Sequence, residues 1–204
     1  IYVSAPLRTP QESIESFLIA REKWILRALE RVTDRTDAYP DLPVLAQRDS
    51  VPYLGGSLRV QYAACNSRKG RWSLDEPAGL SRVELPDPTS DSWRIGALQS
   101  FEKQRTQELV QEYLRQYLPL FAERGVAAPA AVRFRICLLY TSPSSGRTHS
   151  LSFNARLCER PHAFIEYVVV HELCHFLHGN HSADFWREVE RYLPDWQARR
   201  KLGD

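Results

Sequence analysis

The segment YVVVHELCHFLHGNHS, residues 167–182, is the most informative part of this 204-residue chain. It contains the pattern HExxH, in which His171, Glu172 and His175 are the fixed positions. Residues four apart lie on one face of a helix, so both imidazoles can reach a single metal ion. Neutral imidazole is a good ligand for Zn²⁺, and a glutamate directly after the first ligand can act as general base toward a metal-bound water.

The pattern lies in a stretch that predicts a buried helix from Pro161 to about His178, because its residues are apolar nearly all round. Gly179 is well placed to end that helix. A pair of histidines packed in the core without a metal is the simpler interpretation. That arrangement would desolvate three titratable groups at a cost of several kcal/mol, so the pattern favours a metal site.

A catalytic zinc needs a third protein ligand and one open position. Two histidines follow the pattern, His178 and His181. His178 would lie on the same helix face as His171 but about 10 Å farther along the axis, so its side chain would point past the metal. His181 follows the break at Gly179, where the chain can turn back under the site, and it is the predicted third ligand.

Further elements are predicted on both sides of this helix. Before it, the sequence predicts a strand from Val132 to Tyr140 and a returning strand from His149 to Asn154. A long amphipathic helix begins near Asp91 and is stopped by Gly125. After the HExxH helix, Ser182 is suited to cap another helix.

Residues 37–90 contain four short runs with the alternation and the β-branched or aromatic content of strands. These runs are Val51–Leu54, Leu58–Ala64, Arg71–Leu74 and Leu80–Leu85. Gly55-Gly56 is typical of a hairpin turn and Lys69-Gly70 of another, so the runs predict a small antiparallel sheet. Nearer the N-terminus, residues 1–5 predict a strand, and Thr9 is the predicted cap of a helix that fades near residue 34.

The predicted fold is therefore of the α+β class. Residues 1–90 supply an N-terminal helix and a small antiparallel β-rich region, and residues 91–204 supply a catalytic core that contains the HExxH helix. The two parts are expected to form one continuous structural domain, since a chain of this length can bury one sizeable core.

The composition is that of an ordinary globular protein, with 43% hydrophobic and 25% charged residues. No run of about 18 apolar residues occurs, so no membrane span is predicted. The formal net charge of +2 is too small to indicate nucleic-acid binding by itself. Four cysteines without a CxxC pair favour reduced thiols and a cytoplasmic location. The sequence has no Met and opens on Ile1, which predicts a fragment or a trimmed chain.

Several motifs together carry a resemblance to a known family. They are YVVVHELCH and GNHS, followed by FW at 185–186 and LPDW at 193–196, and preceded by SFNARL at 152–157. With them the chain resembles, over most of its length, the YgjP-like metallopeptidases, which are relatives of the SprT-like and WLM zinc peptidases. The resemblance implies a minimal zincin-like core in which His171, His175 and His181 hold zinc and Glu172 is the catalytic residue.

Residues 137–144 depart from the family pattern, in which a Trp-Gly-Ser-Cys turn joins the two strands before the catalytic helix. Here they read CLLYTSPS, and the pattern resumes at SGRT. Because this peptide resembles a translated sequencing adaptor, we interpret it as a read-through artefact. This interpretation affects the predicted strand and turn beside the metal site. It does not affect the predicted ligands His171, His175 and His181.

The sequence thus predicts a zinc-dependent peptidase in which Glu172 activates a metal-bound water toward a peptide or protein substrate. The candidates for binding that substrate are Arg147, His149, Asn154 and Arg156. A donor to the tetrahedral oxyanion is also required, and the candidates are Arg147, His149 and Tyr167.

Two alternatives stay open. Some relatives in the resemblance hydrolyse nucleotides, so the same site could be a UTP-type nucleoside triphosphate pyrophosphatase. Arg147, Arg156 and Arg160 would then lie near the phosphates. Against this alternative, the sequence contains no Gly-rich phosphate loop.

The other alternative is a non-catalytic adaptor with a structural zinc. Nucleic acid is a weakly supported partner for it, because SprT-like relatives act on proteins attached to DNA. A structural zinc is normally closed by four protein ligands, and only three are convincing here.

Overall fold

The computed structural model describes residues 9–22, 25–26, 42–135 and 150–203, and it divides the chain into two units, residues 1–41 and 42–204. In the first unit, helix α1 spans Gln11–Ala20. Its N-cap residue is Pro10, where no side chain caps the helix, so the helix begins without the predicted Thr9 cap. The strand predicted at residues 1–5 and most of the predicted continuation of α1 lie outside the described residues.

The second unit contains both helices and strands. Its helices are α2 (Leu42–Ala46), α3 (Asp91–Ala122), α4 (His162–Cys174), α5 (Ala183–Tyr192) and α6 (Trp196–Lys201), with a short 3-10 helix at Leu157–Glu159. Its strands are β1 (Ser50–Tyr53), β2 (Gly56–Ala64), β3 (Arg71–Asp75), β4 (Leu80–Leu85), β5 (Ala131–Arg135) and β6 (Ser150–Asn154). Among the described helices, none is both long and apolar enough to cross a membrane.

The first four strands form a mixed sheet in the order β1-β2-β4-β3. β1 pairs with β2, and β3 with β4, in antiparallel fashion, whereas β2 and β4 are parallel, with Arg59 opposite Leu80. The prediction of a purely antiparallel sheet is therefore wrong. Residues 65–70 carry the chain from β2 past β4 to the outer edge, so Lys69-Gly70 does not turn a hairpin between neighbouring strands. Side-chain alternation indicates which face of a strand is buried, but it does not specify the neighbouring strand.

The second sheet has two strands, β5 and β6. They are parallel, with Ala131 opposite Ser150 and Arg135 opposite Asn154. The predicted strand at His149–Asn154 is confirmed at Ser150–Asn154, but it runs parallel to β5 and does not return alongside it. Two parallel strands need a crossover between them, and residues 136–149, which connect these two, lie outside the described part of the chain.

Helix α3 supplies the longest face of the core, and its predicted extent is confirmed. Its buried apolar residues are Ala97, Leu98, Phe101, Leu109, Val110, Leu114, Tyr117 and Phe121. The helix also buries Thr106, whose hydroxyl donates to the carbonyl of Ala155 (2.8 Å) and accepts from the backbone N–H of Cys158 (3.0 Å). The segment between β6 and α4 is thereby attached to α3.

The β1–β2 hairpin also contacts this segment. Leu54 and Gly55 form its two-residue turn with φ of 49° and 78°, the left-handed conformation that such tight hairpins require. The backbone N–H of Leu54 donates to the carbonyl of Cys158 (2.8 Å), and that of Gly55 donates to the carbonyl of Glu159 (2.9 Å). A Cβ on Gly55 would lie 2.5 Å from Cγ of Pro161, the residue that precedes α4. The turn therefore packs against the start of the HExxH helix.

Candidate metal centre

Helix α4 carries the HExxH pattern through the interior of the second unit. Pro161 is its N-cap residue, and the Pro161 carbonyl accepts from the backbone N–H groups of Phe164 (2.9 Å) and Ile165 (3.1 Å). Eight of its thirteen residues are buried, on several sides of the helix, which confirms the prediction of a buried helix. α3, α5 and α6 contact it. Burial by these neighbours stabilises a helix whose β-branched run, Val168–Val170, has only modest helix propensity.

The helix ends earlier than the sequence predicts. Its last residue is Cys174 and its C-cap is His175, whereas the predicted end was near His178. The Cys174 carbonyl accepts from the backbone N–H groups of both Leu177 (3.0 Å) and His178 (3.0 Å), so a tight turn begins directly after the pattern. Gly179 was expected to end the helix because glycine favours helix ends, but the chain leaves the helix several residues before it.

This turn brings three histidines together. Each of His171, His175 and His181 offers one ring nitrogen, and these nitrogens lie within 4.8 Å of one another. The Nε2 atoms of His171 and His181 are 3.1 Å apart. We call these residues the histidine triple. Within the described residues, it is the one group of three or more candidate ligands that could hold a metal ion, and it is the set that the sequence predicts.

Two neighbouring groups orient the rings of the helical histidines. Nδ1 of His175 is 3.2 Å from the carbonyl oxygen of His178, and because a carbonyl only accepts, this nitrogen carries the proton. Nδ1 of His171 is 3.4 Å from the hydroxyl of Tyr167. With Nδ1 engaged in both rings, Nε2 is available for a metal ion. The sequence named Tyr167 only as an oxyanion donor, and nothing in it indicated the role of the His178 carbonyl.

The surroundings keep the helical histidines neutral. Burial is the main reason why the pKa of His171 falls to about 3, and the charges of the other two histidines and of Arg200 contribute. Burial also lowers the pKa of His175, against the opposing effect of its hydrogen bond to His178. A neutral imidazole has a free lone pair, which is the form that a metal ion binds.

Glu172 follows the first histidine and is 5% exposed. Burial raises its pKa to about 8. Its Oε2 atom is buried and has no hydrogen-bond partner among the described residues. A buried carboxyl oxygen without a partner costs free energy, so an additional polar group at this position, such as a water or a substrate atom, would stabilise it.

Aromatic side chains of α5 form one wall of the site. Ser182 caps this helix as predicted, with its hydroxyl accepting from the backbone N–H of Phe185 (3.4 Å). The ring of Phe185 is fully buried and lies 4.6–4.9 Å, centroid to centroid, from all three histidine rings. The indole of Trp186 stacks on His181 at 5.6 Å. In the sequence these two residues were part of the motifs that carry the family resemblance, and nothing indicated that they contact the histidines.

The predicted substrate-binding residues have different positions. Arg147 and His149 lie outside the described residues. Asn154 is buried, and its Oδ1 accepts from the backbone N–H of Arg156 (2.9 Å). The guanidinium of Arg156 donates to Oε1 of Glu159 through Nε (2.8 Å) and forms an ion pair with it through Nη2 (2.7 Å). Arg156 is therefore part of a buried ion-pair cluster.

The family model for the YgjP-like metallopeptidase domain matches residues 1–202. The chain belongs to the YgjP-like family. No curated protein and no solved structure shows significant similarity to it. Membership supports a metal-dependent peptidase at the level of the family, and the histidine triple is the group that could hold the metal.

Proposed function

We propose that this YgjP-like chain is a zinc-dependent peptidase in which the histidine triple holds the metal and Glu172 is the general base. The observation that carries the proposal is the approach of the three histidine nitrogens to within 4.8 Å of one another. In a tetrahedral zinc site with Zn–N bonds of about 2.0–2.1 Å, such nitrogens are about 3.3 Å apart. The separation of 3.1 Å between His171 and His181 is close to that value.

The number of ligands favours a catalytic site. Structural zinc is normally closed by four protein ligands, whereas catalytic zinc has three and an open position. Three histidines form the candidate set in the described part of the chain. This count supports a hydrolase over a non-catalytic adaptor. The catalytic core that we propose is of the zincin-like type.

The roles of the protein groups follow from their positions. When bound, zinc supplies Lewis-acid chemistry, which polarises a carbonyl and favours ionisation of water. Glu172 takes a proton from the attacking water, while the water oxygen forms a bond to the carbonyl carbon of the scissile amide. The C–N bond then breaks, and Glu172 delivers the proton to the leaving nitrogen. The Oε2 atom of Glu172 is buried and has no hydrogen-bond partner among the described residues, so it can accept the proton of the attacking water and pass it on.

The structure offers less support for nucleotide hydrolysis at this site. The guanidinium of Arg156, one of the predicted phosphate ligands, is bound to Glu159. Arg160 is 1% exposed, and its guanidinium carbon lies 5.9 Å from the ring centroid of Phe164. Both would have to leave buried positions to reach a triphosphate, so the peptide is the preferred substrate class.

A single substitution tests the proposed role of Glu172. We expect Glu172→Gln to retain zinc and to lower the rate of peptide cleavage by about 10²–10⁴-fold, because the amide cannot accept the proton. The measurement is cleavage of a broad peptide library by the wild-type and variant proteins, together with zinc analysis of both and a chelator-treated sample. Phosphate release from UTP is measured in the same preparations. Cleavage that persists in Glu172→Gln, or UTP hydrolysis without peptide cleavage, would contradict the proposal.

A further inference from the structure

Arg200 lies beside the histidine triple, separated from it by one indole ring. The centre of its guanidinium is 5.6 Å from the ring centroid of Trp186. The indole of Trp186 is in turn 5.6 Å from His181 and 5.9 Å from His171, centroid to centroid. The indole of Trp186 thus contacts this cationic group and also two histidines of the candidate metal centre.

Packing of helix α6 determines this placement. Trp196, the first residue of α6, stacks on Trp186 with ring centroids 4.3 Å apart and an angle of 15° between the planes. Arg200 follows four residues later, so it lies on the same face of the helix, one turn farther along. Both side chains therefore contact Trp186, and the position of the guanidinium depends on a stacked pair of tryptophans.

The charge of Arg200 is not balanced by a carboxylate within the described part of the chain. The neighbouring Arg199, by contrast, donates to Glu166 and to Asp195 (2.7 Å). Arg200 is exposed, and no hydrogen bond joins its guanidinium to another of the described residues. A divalent ion on the histidine triple would repel it, unless an anion lay near both positive groups.

We propose that Arg200 is a specificity residue that binds the C-terminal carboxylate of a peptide substrate. The planar guanidinium matches a carboxylate through two parallel hydrogen bonds, and such charge-assisted pairs are strong. One guanidinium balances one carboxylate, whereas a triphosphate carries several charges. The proposal rests on the peptidase function above and adds the substrate class.

The test measures binding, so that it does not depend on turnover. Two N-acetylated tripeptides of identical sequence, one with a free C-terminal carboxylate and one with a C-terminal amide, are titrated into the zinc-loaded Glu172→Gln protein. Calorimetry gives the dissociation constants. The same titrations are made with Arg200→Gln, Arg200→Lys and Lys201→Gln added to that background, and inorganic pyrophosphate is the third probe. Lys201→Gln is the matched control, because it removes an exposed positive charge from the same helix.

We expect the background protein to bind the acid more tightly than the amide by about tenfold or more, the effect of a charge-assisted hydrogen bond. Arg200→Gln abolishes this preference, Arg200→Lys retains part of it, and Lys201→Gln changes it by less than about twofold. Equal binding of acid and amide to the background protein, no binding of either, or a preference that survives Arg200→Gln would overturn the proposal. It is also overturned if Arg200→Gln weakens pyrophosphate binding more than binding of the acid peptide.

The outcome separates this proposal from the peptidase function. If the wild-type enzyme cleaves the acid and the amide with equal kcat/KM, the peptidase function stands and the role of Arg200 fails. If the inactive variant prefers the acid through Arg200 but the wild-type enzyme cleaves neither peptide, the role of Arg200 stands and the peptidase function fails. Because Arg200 is exposed, its replacement is expected to leave the thermal unfolding midpoint unchanged, which shows that the variant is folded.

Discussion

Tyr167 and the carbonyl of His178 determine which nitrogen each helical histidine presents. The Tyr167 hydroxyl is 3.4 Å from Nδ1 of His171, and the His178 carbonyl is 3.2 Å from Nδ1 of His175. Such outer partners hold the tautomer and the orientation of a ligand ring before the metal binds. The histidine triple is therefore partly preorganised by groups that would not themselves bind the ion.

We expect Tyr167→Phe to weaken zinc binding by about tenfold, the lower end of the cost of removing an outer hydrogen-bond partner. Competition with a chromophoric chelator measures the zinc dissociation constant. Tyr113→Phe is a matched control, because its hydroxyl is also hydrogen-bonded to a histidine, Nδ1 of His162 (3.0 Å), which is not part of the histidine triple. An unchanged dissociation constant in Tyr167→Phe would show that the hydroxyl does not orient His171.

Much of the candidate site could be predicted at this scale, since spacing alone favoured His181 over His178. The reasoning assumed a helix that continues to His178, whereas the helix ends at Cys174. The argument against His178 depended on that helix, whereas the expectation that the chain turns back and brings His181 to the site did not require the helix to reach His178. The hydroxyl of Tyr167 and the His178 carbonyl could not be assigned as orienting groups, because hydrogen bonds depend on the exact path of the chain.

Among the elements, the β1–β2 hairpin is the one whose turn packs against the start of α4. Gly55 has a φ of 78°, and a Cβ at this position would meet Cγ of Pro161 at 2.5 Å. A side chain there would both strain the backbone and push against a rigid ring. Gly56, the next residue, has no such conflict, because a Cβ would find its nearest atom, the Tyr53 carbonyl oxygen, at 3.7 Å.

We predict that Gly55→Ala lowers the free energy of unfolding by about 1–3 kcal/mol, through the positive φ and the contact with Pro161. Gly56→Ala should change it by less than about 1 kcal/mol. Urea unfolding of both variants and of the wild-type protein measures the difference. Equal stabilities of the two variants would mean that the turn does not pack against Pro161 as described.

Element positions were easier to predict than element pairing. The four strand runs of residues 50–85 were found nearly at their observed bounds, because burial alternates along each strand. The parallel pairs β2–β4 and β5–β6 were missed. A strand's own residues indicate its buried face, but its neighbour is determined by contacts between residues distant in the sequence, such as Arg59 and Leu80.

At the scale of the whole second unit, a buried charged cluster joins α3 to the segment before α4. Glu102 and Glu159 are 4% and 3% exposed, and both face the guanidinium of Arg156. The Arg156 guanidinium therefore lies near both carboxyl groups, and the charge of Arg160 also acts on Glu159. Burial, followed by repulsion from Glu159, raises the pKa of Glu102 to about 8, and burial likewise raises the pKa of Glu159.

This cluster makes stability depend on pH. A carboxyl group with a raised pKa binds its proton more tightly in the folded state, so its contribution is complete below the unfolded pKa of 4.5 and is lost as the pH rises to about 8. Over this range we expect the free energy of unfolding of the metal-free wild-type protein to fall relative to that of Glu102→Gln. Urea unfolding at several pH values between 5 and 8 measures the two profiles.

The control is Glu112→Gln, an exposed glutamate on the same helix, whose profile should follow that of the wild-type protein. Parallel profiles for Glu102→Gln and the wild-type protein would show that Glu102 does not carry a raised pKa. The cluster itself was not predictable from the sequence. Arg156 was predicted to meet substrate, because an arginine near a site has no local signal that distinguishes a ligand from a structural ion pair.

The central claim is that the histidine triple holds one zinc ion, and zinc content with affinity measures it most directly. The chain offers a matched pair, His181→Ala and His178→Ala, because the second residue contributes its backbone carbonyl, which the substitution retains. We expect about one zinc per chain in the wild-type protein and in His178→Ala. We expect the zinc affinity of His181→Ala to fall by more than about 100-fold. Such a fall exceeds the loss of about 10- to 100-fold that is typical when only a hydrogen-bond partner of a ligand is removed. Full zinc affinity in His181→Ala, or equal losses in both variants, would contradict the account.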